Sequence, residues 1–494
     1  MFIPGKQINL SELVASYVTL LPEFERAVTG INLDSQKVKA GDLFFAYPGD
    51  LVDGRDYISD AIKRGAIAII SEGEESRLTI IDNNIPLLTL PQLREKVGDF
   101  AAKFYGNPSH QLTVIGITGT SGKTSCAYFI AAALSSLDYP CGFIGTVGAG
   151  FIGNLSKVIN TTPDAITLQS ALFSLLTQGA KAVTIEVSSH SLVQKRVQGI
   201  EFEIAVFTNL SRDHLDYHQN MQAYASAKKL LFMLPKLKYA VINGDDDFGA
   251  TLLPEISKIV TTYSYGINNQ AAVSASDIKL SINGIKAQIN TPWGSGTLTS
   301  KLLGRINVSN LLAVLAVLGI LKIKLTNALH ALSQLTTVPG RLQALGGGNK
   351  PLVVIDYAHK PDALEKVLEC LREHTAGVIW CVFGCGGDRD RGKRPMMGRI
   401  AERLSDHIII TNDNPRTENP QQIVQDVLQG LLCPWAAEVE YDRRVAIAHA
   451  IDCAGPGDVV LIAGKGHEDY QVIGKEKIHF SDYEETEKQL KIKN

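Results

Sequence analysis

Short apolar runs recur along the chain, each followed by a polar or glycine-rich stretch and then by apolar positions at helical spacing. Runs at 43–46, 66–70 and 85–90 predict strands, the last ending near Pro91. A second series opens at 112–118, where an apolar run flows into a glycine-rich turn and then a helical pattern over 124–137. Further strands are predicted at 182–187, 204–208 and 239–242, with helical stretches between them. Strands alternating with helices predict parallel α/β layers. Pro and Gly punctuate the chain again at 336–341.

Beyond that break the pattern repeats. Runs at 352–355, 378–383, 407–410 and 459–463 lead into Asp356-Tyr357-Ala358-His359, GCGGDRD, TNDNPR and GKGHE. Ligands of open parallel sheets gather at the carboxyl ends of strands, so four unusual loops at four such ends predict one assembled site. The longest apolar run, 311–321, is too short for the ~18–20 residues of a membrane span and reads as a buried helix.

Composition narrows the class. The chain has 494 residues, and single cores stop growing near ~250–300, so three α/β domains are expected. At 45% hydrophobic and 20% charged it is ordinary for a globular protein, and a net charge of -3 advertises neither nucleic acid nor an anionic membrane as a partner. Residues 1–10 lack the apolar core and cleavage site of a signal peptide, which predicts a cytoplasmic chain. Seven scattered cysteines show no zinc spacing and read as buried reduced thiols.

Residues 118–125 read TGTSGKTS between a predicted strand and a predicted helix. Small residues let backbone N–H groups close on phosphates, and the helix N-terminus adds positive potential. Gly119, Thr120, Ser121, Gly122, Lys123, Thr124 and Ser125 are therefore the candidate triphosphate cradle, with Lys123 reaching the outer phosphates and Thr124 suited to Mg²⁺. Ile117 stands where the standard loop has its first glycine. Such a loop places a triphosphate without naming a reaction, because switches, motors, kinases and ligases all use one. Glu186 and His214 end neighbouring predicted strands and could hold a metal together. Each alone equally suits a solvated carboxylate or a surface pair.

Taken together, GTSGKT, EVSSHSLVQKR, NLSRDHLDYH, GRINVSN, DYAHKPDAL and GCGGDRDRGKRP resemble the Mur ligases, cytoplasmic ATP-dependent amide-bond ligases of bacterial peptidoglycan synthesis. The likeness runs from Leu33-Asp34-Ser35 to GKGHE, nearly the whole chain, with the motifs in the family's order. It implies an N-terminal UDP-sugar-binding domain over 1–93, a central ATP-binding domain over 94–336 and a C-terminal Rossmann-like amino-acid-binding domain over 337–494, in a monomer. Leu33 and Ser35 would contact the uridine diphosphate end, and Asn160, Thr161, Thr162, Ser188, Gln194 and Arg196 the muramoyl-dipeptide part. One departure is visible at Asp50-Leu51-Val52, where relatives often carry His-Gln-Ala.

The resemblance implies that a carboxylate is activated as an acyl phosphate and that an amine then displaces phosphate. Lys123, Glu186, His214 and Lys228 would be the catalytic set. Thr124 and Glu186 would hold one Mg²⁺, and His214 with a carbamylated Lys228 a second; Lys229 stays an ordinary solvated lysine. Asn307, Arg341, Asp356 and His359 would complete ATP binding. Arg341 and His359 lie beyond the break, so ATP is expected between the second and third domains, with closure excluding water.

The acceptor is read from Asp413-Asn414-Pro415-Arg416. meso-Diaminopimelate carries a carboxylate beside its distal amine that lysine lacks, and a guanidinium fork from Arg416 or Arg389 suits it. Asp413 and Glu468 would balance the distal ammonium, with Gly464 leaving room. The implied reaction adds meso-diaminopimelate to the D-Glu γ-carboxylate of UDP-N-acetylmuramoyl-L-Ala-D-Glu. An L-lysine acceptor, a ligase of the folylpolyglutamate synthetase kind and a nucleotide switch without ligase activity stay open.

Overall fold

The computed structural model describes residues 7–50, 52–268 and 270–493. Leu51 of the departure at 50–52, and residues 1–6 of the opening stretch, lie outside the described residues. The chain divides into two compact units. One comprises the chain up to Ala272 with Ala316–Lys322, the other Val273–Leu315 and the chain from Ile323 onward.

Besides the short antiparallel pair Ile8–Asn9 and Ala27–Val28, two sheets organise the first unit. The smaller runs Gly30–Asn32, Asp42–Ala46, Ala68–Glu72, Ile85–Leu90, Arg77–Ile81, all parallel except the last. Alternation along Asp42–Ala46 decides its two faces. Leu43 and Phe45 join Ile70, Leu88 and Phe100 in one layer, while Phe44 and Ala46 join Ile69 and Ala61 in the other.

The larger sheet orders Cys141–Gly145, Ala182–Glu186, Thr113–Thr118, Ile204–Phe207, Tyr239–Asn243 and Thr261–Gly266 as parallel neighbours. Antiparallel Gly148–Phe151 and Asn154–Ser156 extend its near edge. These central strands read as continuous apolar runs because helices cover both faces. The strand leading to the phosphate loop lies between the two that carry Glu186 and Thr208. Glu186 stands opposite Ile117, and Phe207 opposite Thr118, so all three strand ends open at one edge.

The second unit begins with an antiparallel meander, Val273–Ser281, Gly284–Thr291 and Gly294–Ser300. The sequence pattern missed it because its buried side chains are single alternating residues (Ile285, Ala287, Ile289) rather than a run. Its main sheet is ordered Gln343–Gly346, Leu352–Asp356, Val459–Ala463, Ile379–Phe383, His407–Ile410, Ala437–Val439, parallel throughout except the first pair. In register, Asp356 faces Ala463, Ala463 faces Phe383, and Phe383 faces Ile410. The four predicted loops therefore leave the sheet side by side.

The run at 311–321 falls, all but its last residue, in the helix Arg305–Ile320, buried from Leu311 to Leu318. Among the described residues no helix is long and apolar enough to cross a membrane. All seven cysteines are free, but the expectation of burial fails for Cys433 and Cys453, which are exposed, and is met only in part at half-buried Cys370. Cys453 closes a helix whose apolar face is set by Ala446, Ile447, Ala450 and Ile451, leaving it on the outer side.

Candidate active site

In the first unit the site is built around a carboxylate with no access to water. Glu186 ends its strand fully buried. The Thr124 hydroxyl donates to Glu186 Oε2 at 2.8 Å, and the Thr146 N–H donates to Oε1 at 2.7 Å. Burial pushes this carboxyl above the ordinary range, and the bonds from Thr124 and Thr146 work against the shift. Gly145 makes the room: a Cβ there would stand 2.6 Å from Glu186 Cδ and 2.7 Å from Cγ.

The phosphate loop turns through Gly119 and Gly122, both at positive φ, into the helix Lys123–Ser135. Lys123 Nζ donates to the carbonyls of Gly119 and Thr120, each at 2.8 Å. Asn209 braces the loop from the next strand end, accepting from the Ser121 N–H at 2.9 Å and donating to the Ser121 carbonyl at 3.0 Å. The Thr208 hydroxyl donates to the same carbonyl at 2.6 Å.

Lys228 enters from the helix Met221–Lys229, almost fully buried. Its Nζ donates to the Gly119 carbonyl at 2.7 Å and stands 4.3 Å from the centre of the Tyr224 ring. Burial, then the like charge of Lys123, pulls its pKa down to about 6, so the amine is mostly uncharged at neutral pH. Lys229, one position on, is paired on the surface with Glu255. His214, in left-handed backbone, meets His190 edge to face at 4.9 Å between ring centres. His218 is buried beside them, with Nε2 2.9 Å from the Ser189 hydroxyl.

A second network continues from Glu186. The Thr162 hydroxyl donates to the Glu186 carbonyl at 2.6 Å, and the Ser188 N–H donates to that hydroxyl at 3.1 Å. Arg196 donates to the Thr162 carbonyl at 2.9 Å, and Thr161 Oγ1 lies 3.0 Å from Thr146 Oγ1. Gln194 Nε2 donates to Asp50 at 2.6 Å, and Asp50 also takes Arg94 at 3.0 Å. Asn160 is exposed, while Leu33 and buried Ser35 follow the strand Gly30–Asn32 of the smaller sheet.

In the second unit, Asp356 is buried and accepts from the Leu342 N–H at 2.8 Å. Burial raises its carboxyl above the usual range. Arg341 lies 5.7 Å from the centre of the Tyr357 ring, and His359 Nδ1 is 2.8 Å from the Tyr357 carbonyl. Asn307 Nδ2 donates to the Leu303 carbonyl at 2.7 Å. At the neighbouring strand ends, Asp413, Asn414 and Arg416 share one loop. Arg416 takes left-handed backbone, and its Nη1 donates to the Gly387 carbonyl at 2.8 Å. The glycines of GCGGDRD serve this approach, since a Cβ on Gly387 would stand 2.8 Å from the Pro415 carbonyl carbon. Arg389 is exposed on that same glycine-rich loop, and Gly464 lies with its Cβ position 3.7 Å from Asp413 Oδ2.

Three family descriptions match the chain: "Mur ligase family, catalytic domain" over 27–105, "Mur ligase middle domain" over 117–318, and "Mur ligase, glutamate ligase domain" over 340–466. A UDP-N-acetylmuramoyl-L-alanyl-D-glutamate–2,6-diaminopimelate ligase of Coxiella burnetii is 49% identical over 94% of this chain and 96% of its own. The chain belongs to the Mur ligase family. A ligase of the same description from Pseudomonas aeruginosa is 48% identical over 95% of this chain and 97% of its own. A solved structure so described matches with a TM-score of 0.79 and 36% identity, covering 98% and 99% of the two chains. The Mycobacterium tuberculosis folylpolyglutamate synthase shares the fold at 19% identity and a TM-score of 0.57, over 74% of this chain and 91% of its own.

Of the site residues expected from the sequence of this Mur ligase, the first unit brings Lys123, Thr124, Glu186 and Lys228 to one edge. Sequence reasoning missed Thr146 and Tyr224, which meet Glu186 and Lys228, Thr208 and Asn209, which brace the loop at Ser121, and His218, which lies against His190 and Tyr224. It also missed Lys465, whose ammonium is fully buried in the second unit. Asn209 sits in the quoted NLSRDH motif and was legible there; Thr146 and Tyr224 carry no local signal, because only the fold brings them in.

Proposed function

We propose that the chain is an ATP-dependent ligase that joins meso-diaminopimelate to the D-Glu γ-carboxylate of UDP-N-acetylmuramoyl-L-Ala-D-Glu. The observation that carries this reading is the pairing of buried Glu186 with Thr124 at the phosphate loop, in a chain about half identical to ligases so described. A carboxylate oxygen of the substrate attacks the γ-phosphorus, and the bond to ADP breaks. The acceptor amine then attacks the acyl carbon, phosphate leaves, and the amine loses its proton.

Two anions must meet for the first step, so positive charge is the main requirement. Lys123 supplies one charge at the loop. Among the described residues no three His, Cys, Asp or Glu side chains cluster as a ready metal site. Mg²⁺ fits nonetheless, because it takes one or two protein oxygens and completes its shell with water and phosphate; Thr124 and Glu186 offer those oxygens and the ion would supply charge neutralisation. An uncharged Lys228 amine suits addition of CO₂, which would release a proton and leave an anionic oxygen to serve with His214 as ligands of a second Mg²⁺. Arg341, Asp356, His359 and Asn307 are the remaining ATP candidates. Leu33, Ser35, Asn160, Thr161, Thr162, Ser188, Gln194 and Arg196 are the UDP-sugar candidates.

At the acceptor end, Arg416 and Arg389 answer the distal carboxylate, and Asp413 and Glu468 the distal ammonium. Lysine would leave that guanidinium charge unpaired. The same reading divides the chain at 93 and 336 into UDP-sugar, ATP and amino-acid domains and has it act in the cytoplasm as a monomer. The test is hydroxylamine trapping: with ATP, Mg²⁺ and the UDP-dipeptide but no acceptor, a hydroxamate of the substrate should form. ATP hydrolysis without hydroxamate, and without dependence on the UDP-sugar, would favour a nucleotide switch.

A further inference from the structure

Lys465 is an unusual residue to bury. It follows Gly464 at the end of the strand Val459–Ala463, and none of it reaches solvent. Its Nζ lies 3.2 Å from Glu468 Oε2, 3.3 Å from Asn414 Oδ1 and 3.6 Å from Asp413 Oδ1, with the Tyr470 ring centre at 5.5 Å. One ammonium thus meets three side chains of the proposed acceptor end. A buried cation persists only when paired and hydrogen-bonded.

The surrounding bonds explain what it organises. Asn414 Oδ1 also accepts from the Val472 N–H at 2.9 Å, which fixes the amide's orientation and turns Nδ2 towards Glu468 Oε2 at 3.0 Å. Asp413 is held by its backbone, where Gln471 Nε2 donates to the carbonyl at 2.6 Å, while its Oδ1 has no hydrogen-bond partner among the described residues. Asp413 and Glu468 are like charges on two loops. Burial raises the Asp413 carboxyl above the usual range, and the charges of Arg443 and of Lys465, which stands between the two carboxyls, work against that shift and favour the anionic form that an incoming ammonium would meet.

We propose that Lys465 is the positioning residue of the acceptor end: it locks Asp413, Asn414 and Glu468 into one geometry to accept a single ammonium. The proposal rests on the acceptor reading given above. Lys465 itself does not touch the reacting amine.

The test is K465M, which keeps the length and removes the charge, with K465Q as the second variant because it keeps a donor. Phosphate release is measured while each of the three substrates is titrated in turn, and melting is followed to select a folded variant. The KM for meso-diaminopimelate should rise 30-fold or more, with the KM values for ATP and the UDP-sugar within 3-fold of wild type. A merely structural residue would lower kcat or stability and leave the acceptor KM alone, and that result overturns the proposal. A uniform rise in all three KM values overturns it too. A wild-type enzyme that neither binds nor uses meso-diaminopimelate sinks the acceptor reading and the proposal together. Use of the amino acid by wild type, with an unchanged acceptor KM in the variants, sinks the proposal alone.

Discussion

Gly145→Ala adds one methyl group at the most crowded point of the nucleotide end. The new Cβ would stand 2.6 Å from Glu186 Cδ and 2.7 Å from Cγ, against the ~3.5–4.0 Å of a normal carbon contact. Glu186 cannot retreat, because Thr124 and the Thr146 N–H hold its two oxygens. Moving it breaks two hydrogen bonds whose donors, half-buried Thr124 and exposed Thr146, can turn to water, at about 0.5–1.5 kcal/mol each. Overpacking alone costs ~1–3 kcal/mol, so the total expected is ~2–6 kcal/mol. With a urea slope near ~3 kcal/mol/M the unfolding midpoint should fall by ~1 M. Ligase turnover should fall by ~10²–10³, as when one preorganised electrostatic group is lost. Combining the change with E186A separates clash from backbone effects. Once the carboxylate is gone the added methyl should cost little, so the two changes should couple by ~2 kcal/mol. An unaltered midpoint in G145A, or a cost that persists in the E186A background, would refute the reasoning.

Other expectations follow from other sites. R416A should lower kcat/KM for meso-diaminopimelate by ~10²-fold while scarcely changing the trace rate with L-lysine, measured by acceptor titration. Arg443 and Asp482 form a fully buried pair at 2.7 Å, so R443M should destabilise by ~3–5 kcal/mol and R443M/D482L should recover most of it, read by thermal melting. The Arg394 guanidinium beside Glu418 holds that carboxyl down at about 2. A depressed carboxyl stabilises fully above its unfolded value of ~4.3 and loses that contribution as pH falls towards 2, so E418Q should flatten the acid limb of the stability curve. Iodoacetamide should label exposed Cys433 and Cys453 in the native protein and spare Cys381 and Cys385, buried thiols pushed up to about 12, by peptide mass spectrometry.

Legibility in the sequence followed the physics of each element. The central strands were readable because both faces are buried, which forces unbroken apolar runs such as that ending in Thr118. The loops after Asp356, Phe383, Ile410 and Ala463 were grouped correctly because parallel neighbours must end at one edge. The meander over 273–300 was not legible, since one face is solvated and its apolar residues are isolated. Glu186 and Lys228 were singled out, but a sequence reading of Lys228 beside Lys229 favours two solvated amines. Only packing distinguishes the buried lysine from the one paired with Glu255. Lys465 escaped although it stands in the GKGHE loop, because nothing local shows that its ammonium turns inward to Asp413 and Asn414 on another loop as well as to Glu468 on its own.

The central claim is the joining of meso-diaminopimelate to the UDP-dipeptide, and acceptor-dependent phosphate release tests it most directly. With UDP-N-acetylmuramoyl-L-Ala-D-Glu, ATP and Mg²⁺, adding meso-diaminopimelate should trigger phosphate release together with a product of the UDP-tripeptide mass, and L-lysine should release at least ~10²-fold less. Equal or preferred use of L-lysine would contradict the reading of Arg416. Release that ignores both amino acids would contradict the ligase itself.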